Sequence, residues 1–246
     1  MAGRPSLHIF PDVNSLSRAA GQEIIRLGVA AHQERGRFRL VLNGGGTPQR
    51  LFEVLGSPPN SKAPFWPDTH LYWGDERCVR PDESGSNYYQ IKRTMLNALS
   101  IPAGQIHRIK GEAGPEPAAR EYAALLKAHA EPGREWPVFD LVLLGMGADG
   151  HTAGLFPGQV LEYDPLPVRG VWAEYEDRPA ARVTMTLPVF RSARRIMVLI
   201  AGAEKSVTVQ TIFNSPGSIE LHPIRGVLTG VVDWWMDEKA AGKLAG

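Results

Sequence analysis

Apolar runs of strand length alternate with segments of helical periodicity along this chain, and that alternation limits the fold more than any other feature. Leu16, Ala20, Ile24, Leu27 and Ala31 recur at helical spacing behind Asp12 and Asn14, and Gly36 ends that helix. Phe38 to Leu42 reads as a strand, with a helix opening at Thr47 and Pro48. His70 to Trp73 is a second strand, followed by a helix from about Asn87 to Leu99. A helix from about Pro117 to Ala130 precedes a strand from Phe139 to Leu144. Val183 to Leu187 and Ile196 to Ile200 are further strands. The latter feeds a helix from Glu204 to Phe213, and a last helix is expected from Val231 to Ala240. This order predicts an α/β fold, a mostly parallel central sheet with helices on both faces. Ligands of such sheets bind beyond the carboxyl ends of the strands, and four informative segments fall there.

Proline and glycine cluster at 56–67, 111–117, 131–137 and 157–170, each time between periodic segments, and read as loops rather than domain linkers. Formal net charge is +1, from 27 basic and 26 acidic residues. No global field gathers nucleic acid or an anionic membrane, so any bound anion needs a local site. The single cysteine, Cys78, excludes an internal disulfide and a cysteine-cluster metal site. Met1 to Phe10 holds no apolar run long enough for a signal peptide. Elsewhere the longest apolar run, Ile196 to Ala203, is far short of a membrane span. The expectation is a cytoplasmic protein with neither a nucleic-acid nor a membrane partner.

Asn43 is followed by Gly44, Gly45, Gly46, Thr47 and Pro48, between a strand and a helix. Three glycines let the backbone turn tightly and expose its N–H groups. Thr47 suits the N-cap and Pro48 the first helical position. Free amides at a helix start make an anion site, and the alternative is a tight turn that binds nothing. It is not a Walker loop, because no Gly-Lys pair follows. Phosphate fits; a nucleoside triphosphate does not.

Gly145, Gly147 and Gly150 have dinucleotide-loop spacing and follow an apolar strand. Asp149, however, would put a carboxylate where pyrophosphate must sit. The run from His151 to Phe156 breaks at Pro157 and Gly158, too short for the helix such a loop requires. What remains is Asp149 two residues before His151. A carboxylate so placed fixes the imidazole tautomer and raises its basicity, as a general base needs. An aspartate that caps the turn beside a packed histidine is the plainer alternative.

Asp75, Glu76 and Arg77 also follow a strand. They form either a solvated charged turn or a site in which Arg77 holds an oxyanion or phosphate and Asp75 positions Arg77 or a substrate hydroxyl; Glu76 is expected to face solvent. Lys205 falls in the first turn of a helix, where an anionic ligand would relieve its conflict with the dipole. Arg182 is either an ordinary surface arginine or a further cation for the same region. Asp75, Glu76, Asp149 and His151 lack the spacing of a zinc site, so no metal and no cofactor is expected.

Taken in order, Gly44–Pro48, Gly74–Val79 with Ser86–Tyr88, Leu143–Ala153 with Leu155–Gly158, Arg182–Leu187, Gly202–Lys205 and Asp233–Asp237 resemble the 6-phosphogluconolactonase family over essentially the whole chain. That family is related to the glucosamine-6-phosphate deaminases. The resemblance implies one domain over 1–246 with a sugar-phosphate-isomerase-like (modified Rossmann) fold. It implies hydrolysis of 6-phospho-D-glucono-1,5-lactone, with the small sugar phosphate as partner; a monomer or small homo-oligomer is expected. It assigns phosphate binding to Gly44, Gly45, Thr47, Arg182 and Lys205, with Gly46 in the same turn. Asp75 and Arg77 then face the sugar and His151 is the base. Asn43 or Gly46 stands where relatives often carry serine, and Gly154 likewise. The expected chemistry is direct attack by water, with His151 oriented by Asp149 and Arg77 stabilising the oxyanion. A hexosamine-phosphate deaminase or isomerase, and a non-catalytic sugar-phosphate binder, are the rival functions.

Overall fold

Asp12 accepts the backbone N–H of Ser15 at 2.7 Å, which satisfies a free amide and starts the long first helix. Gly36 ends it in the left-handed conformation, its N–H returning to His32 O at 2.8 Å. The computed structural model describes residues 6–159, 162–228 and 231–245. Residues 1–5, part of the stretch read for a signal peptide, lie outside the described residues, as do 160–161 of the 157–170 loop. Among the described residues no helix is long and apolar enough to cross a membrane.

The chain runs β1 (Ser6–Phe10), α1 (Val13–Arg35), β2 (Phe38–Leu42), α2 (Gly46–Gly56), β3 (Thr69–Trp73), β4 (Asp75–Arg77) and α3 (Asn87–Thr94). It continues through β5 (Ile106–His107), α4 (Pro115–Ala128), β6 (Leu141–Gly145), β7 (Val168–Trp172), β8 (Ala181–Met185) and α5 (Leu187–Arg191). β9 (Ile196–Ile200), α6 (Ser206–Asn214), β10 (Val232–Asp237) and α7 (Glu238–Ala241) complete it. Among the described residues seven strands form one sheet in the order β1-β10-β9-β6-β2-β3-β5, every neighbour parallel. Its central runs are buried throughout, as a sheet covered on both faces requires. The expected α/β architecture is therefore present, and the sheet places the ends of β2, β6 and β9 side by side.

A second sheet, β4-β8-β7, is antiparallel. The expected strand from Val183 to Leu187 sits there shifted to Ala181–Met185; it ends early because Leu187 and Pro188 already begin α5. β7 begins inside the stretch read as loop and runs two residues past it, and β1 was not expected from the sequence.

The expected helix from Val231 to Ala240 is mostly strand. All six residues of β10 are buried, Trp234 at 0% and Trp235 at 7% exposure, so neither tryptophan forms a surface patch. Asp233 and Asp237 mimic the polar face of a helix, but both are used inside the fold. Asp233 accepts Arg195 Nη1 at 2.5 Å and the Ser6 hydroxyl. Asp237 caps α7 by accepting Ala240 N–H at 2.8 Å. Two other expected helices are shorter. Residues 96–98 after α3 and 203–205 before α6 are separate turns of 3₁₀ helix.

Candidate active site

The carboxyl ends of β2, β6 and β9 open into one cavity of about 480 Å³, and β4 and β8 supply another of its walls. Every residue expected at the site lines it except Asp149, which stands directly behind His151.

The glycine turn supplies the first wall. α2 begins at Gly46, with Gly45 at φ 125° before it and no side-chain cap. Thr47 is thus one position inside the helix and not its N-cap, and its Oγ1 accepts Lys205 Nζ at 3.1 Å. The uncapped amides face the cavity, the arrangement that attracts an anion. Gly44 is glycine for a separate reason. A Cβ there would lie 1.8 Å from Oδ1 of the buried Asn87, whose amide also reaches Asp75. Asn43 is buried and donates to Leu143 O at 2.6 Å, so it ties β2 to β6.

The second wall is the turn after β6. His151 Nδ1 and Asp149 Oδ1 are 2.6 Å apart, and the same oxygen accepts the His151 backbone N–H at 3.1 Å. With Nδ1 donating to the carboxylate, Nε2 carries the free lone pair. Burial pushes the Asp149 carboxyl up, but the bond and charge of His151 outweigh it and hold it below its ordinary value. Gly147 makes room for the pair, since a Cβ there would sit 2.1 Å from His151 Nδ1. The His151 ring also stacks on Phe156 and meets the edge of Tyr175.

The third wall is the small sheet. Asp75, Glu76 and Arg77 are a buried strand, not a solvated turn. Glu76 reverses its expected orientation. Its carboxylate is 2% exposed and accepts from the backbone of Arg77, Asn87 and Tyr88 and from the Ser86 hydroxyl. Burial pushes it up to about 7 against the three backbone donors. It holds the loop before α3 in place and does not line the cavity.

Arg77 pairs with Arg182 across the β4–β8 ladder, two like charges in register and both buried. Arg77 Nη1 donates to Gly85 O at 2.6 Å, but its Nε has no protein partner, nor do Nε and Nη2 of Arg182. Arg182 is therefore no surface arginine. Burial lowers the pKa of both Arg182 and Lys205. Desolvated cations with unused donors stand at a cavity beside uncapped helix amides, an arrangement whose chemistry suits an anion. Tyr175, Glu176 and Arg178, on the connection between β7 and β8, line the cavity too, and nothing in the local sequence pattern marked them.

Fold and cavity together define an α/β protein in which buried cations, a glycine turn and a carboxylate-bonded histidine meet at one chamber. The model of the family described as glucosamine-6-phosphate isomerases/6-phosphogluconolactonase matches residues 11–235, and the chain belongs to that family. It is 34% identical over 233 residues to a 6-phosphogluconolactonase of Haemophilus influenzae, covering 94% of this chain and 96% of the relative. A 6-phosphogluconolactonase of Aggregatibacter actinomycetemcomitans is 32% identical over 234 residues, covering 94% and 97%. The solved 6-phosphogluconolactonase of Trypanosoma brucei superposes with a TM-score of 0.85 at 26% identity, covering 98% of this chain and 99% of its own.

Proposed function

We propose that this protein hydrolyses 6-phospho-D-glucono-1,5-lactone to 6-phospho-D-gluconate, the second step of the oxidative pentose phosphate pathway. The observation that carries this assignment is the Asp149–His151 pair facing the same cavity as Lys205, Arg182 and the uncapped start of α2. The phosphate binds at Gly44, Gly45, Gly46 and Thr47 with Lys205 and Arg182, so the lactone ring extends toward His151. Nε2 of His151 takes a proton from water as the water oxygen bonds to the lactone carbonyl. Arg77, held by Gly85 O, stabilises the tetrahedral oxyanion, and Asp75 faces the sugar beside it. The ring C–O bond then breaks and the imidazolium returns the proton to the leaving ring oxygen. Base and oxyanion donor contribute about 10²–10⁴ and 10²–10³ in rate. The phosphate clamp turns remote binding into orientation at the carbonyl.

The same assignment makes 1–246 one domain and the cytoplasm its site of action, where a phosphorylated sugar is retained. A pH-stat assay on fresh lactone, with spontaneous hydrolysis subtracted, provides the test. His151→Asn is expected to lose about 10²–10⁴ in turnover while still binding 6-phosphogluconate. Wild-type-like turnover of this variant, or ammonia release from glucosamine 6-phosphate by the unaltered protein, would overturn the assignment.

A further inference from the structure

Asp149 fixes one nitrogen of His151, but a single hydrogen bond leaves the imidazole free to swing about that contact. Two aromatic side chains remove this freedom. Phe156 stacks on the ring with centroids 4.6 Å apart and planes at 23°, and Tyr175 meets it edge-on at 4.4 Å and 71°. Both geometries are those in which aromatic rings attract beyond simple burial.

The two rings come from different parts of the fold. Phe156 is buried in the turn that also carries His151, and the Arg182 guanidinium lies 5.1 Å from its centroid. Tyr175 comes from the connection between β7 and β8, which Ala173 N–H and Ala180 O close at 3.0 Å. The next residue, Glu176, has φ 51°, a conformation that a residue with a Cβ seldom adopts and that the surrounding contacts must hold. Arg178, paired with Glu176 at 2.7 Å, lies 5.9 Å from the Tyr175 ring. Tyr175 is thus presented to His151 by a turn held in a sparsely populated conformation.

We propose that Tyr175 is a positioning residue for the general base, holding the His151 imidazole against Phe156 so that Nε2 points at the lactone carbonyl. This rests on the assignment of His151 as base. The aromatic ring, which meets His151 edge-on, does the positioning. Because a misplacement of about 1 Å costs ~10²-fold, loss of the ring is expected to lower kcat by ~10–100-fold. KM and 6-phosphogluconate binding should stay within about twofold, since the phosphate clamp is untouched.

The experiment compares wild type, Tyr175→Ala and Tyr175→Phe in the pH-stat assay, with 6-phosphogluconate binding measured by calorimetry. The expected pattern is a kcat loss in Tyr175→Ala that Tyr175→Phe largely reverses, with binding held. Unchanged kcat in Tyr175→Ala would overturn the proposal, as would a rise in KM alone, which marks a substrate contact. Equal damage in Tyr175→Phe would overturn it by making the hydroxyl the active group. Absence of wild-type turnover is the distinct result that removes the functional assignment itself, and the positioning role with it.

Discussion

The seven-stranded sheet buries apolar side chains along its central strands, whereas the three-stranded sheet buries Asp75, Glu76, Arg77, Arg182 and Thr184 at 5% exposure or less. The large sheet is stabilised in the ordinary way, by apolar area removed from water. In the small sheet each buried charge needs a partner, and where Arg77 and Arg182 lack one, the open donors face the cavity. The contrast separates scaffold from site. Substitutions in one should move stability, and substitutions in the other should move binding.

The largest effect expected from breaking the scaffold is at Trp234, fully buried in β10 and edge-on to Phe213 at 5.0 Å. Trp234→Ala should cost about 3–5 kcal/mol in urea unfolding, with KM near wild type in whatever remains folded. A loss below about 1 kcal/mol would show that β10 is not part of the core. Arg182→Met tests the opposite side. Removing a charge-assisted donor set should weaken 6-phosphogluconate binding by roughly 10–100-fold. The melting temperature should hold or rise, because a desolvated cation opposite Arg77 is gone. A clear drop in melting temperature with binding intact would make Arg182 structural.

Glu76 sharpens the comparison from within the small sheet, as a buried charge that serves the fold. Glu76→Gln keeps the shape but turns one acceptor into a donor facing an N–H group. It should cost about 1–3 kcal/mol in unfolding, and KM should move little. A variant as stable as wild type would mean the carboxyl is already protonated and spares a donor.

The smallest effect lies at the β5 edge of the large sheet. His107 is buried against His70 and His129, with His107 Nε2 and His70 Nδ1 3.1 Å apart. Burial, then the charges of His129, His70 and Arg39, lower it to about 4 from 6.5. The folded state thus takes up this proton later than the unfolded chain does. Its contribution to stability is complete above about pH 6.5 and is lost as pH falls toward 4, by roughly 1–3 kcal/mol. Unfolding curves for wild type and His107→Gln should converge over that window. Parallel curves would remove His107 as the cause.

Residues whose role is local were legible in the chain. β2 and β9 match their apolar runs residue for residue, and α1 lies between its cap and its glycine. The turn at Gly44–Thr47 and the pair Asp149–His151 are contacts within a few residues, so spacing alone located them. Glu76 and β10 were misjudged for a common reason. Charges at Glu76, Asp233 and Asp237 look like solvent-facing positions, yet their partners come from other segments, Asn87, Arg195 and Gly202 among them. Tyr175 carried no periodic signal, because its contact with His151 is made across the fold.

The sequence by itself determined the alternation of the central strands and helices, the glycine turn after β2 and the carboxylate–imidazole pair after β6. Each is fixed by backbone conformation and neighbours a few positions away. Tertiary structure decided which charges are buried, that Arg77 and Arg182 stand in register, and that Lys205 reaches Thr47 from 158 residues along the chain. Burial of a charge depends on the partner that compensates it, and in this protein the compensating groups are brought together only when the two sheets close around one cavity.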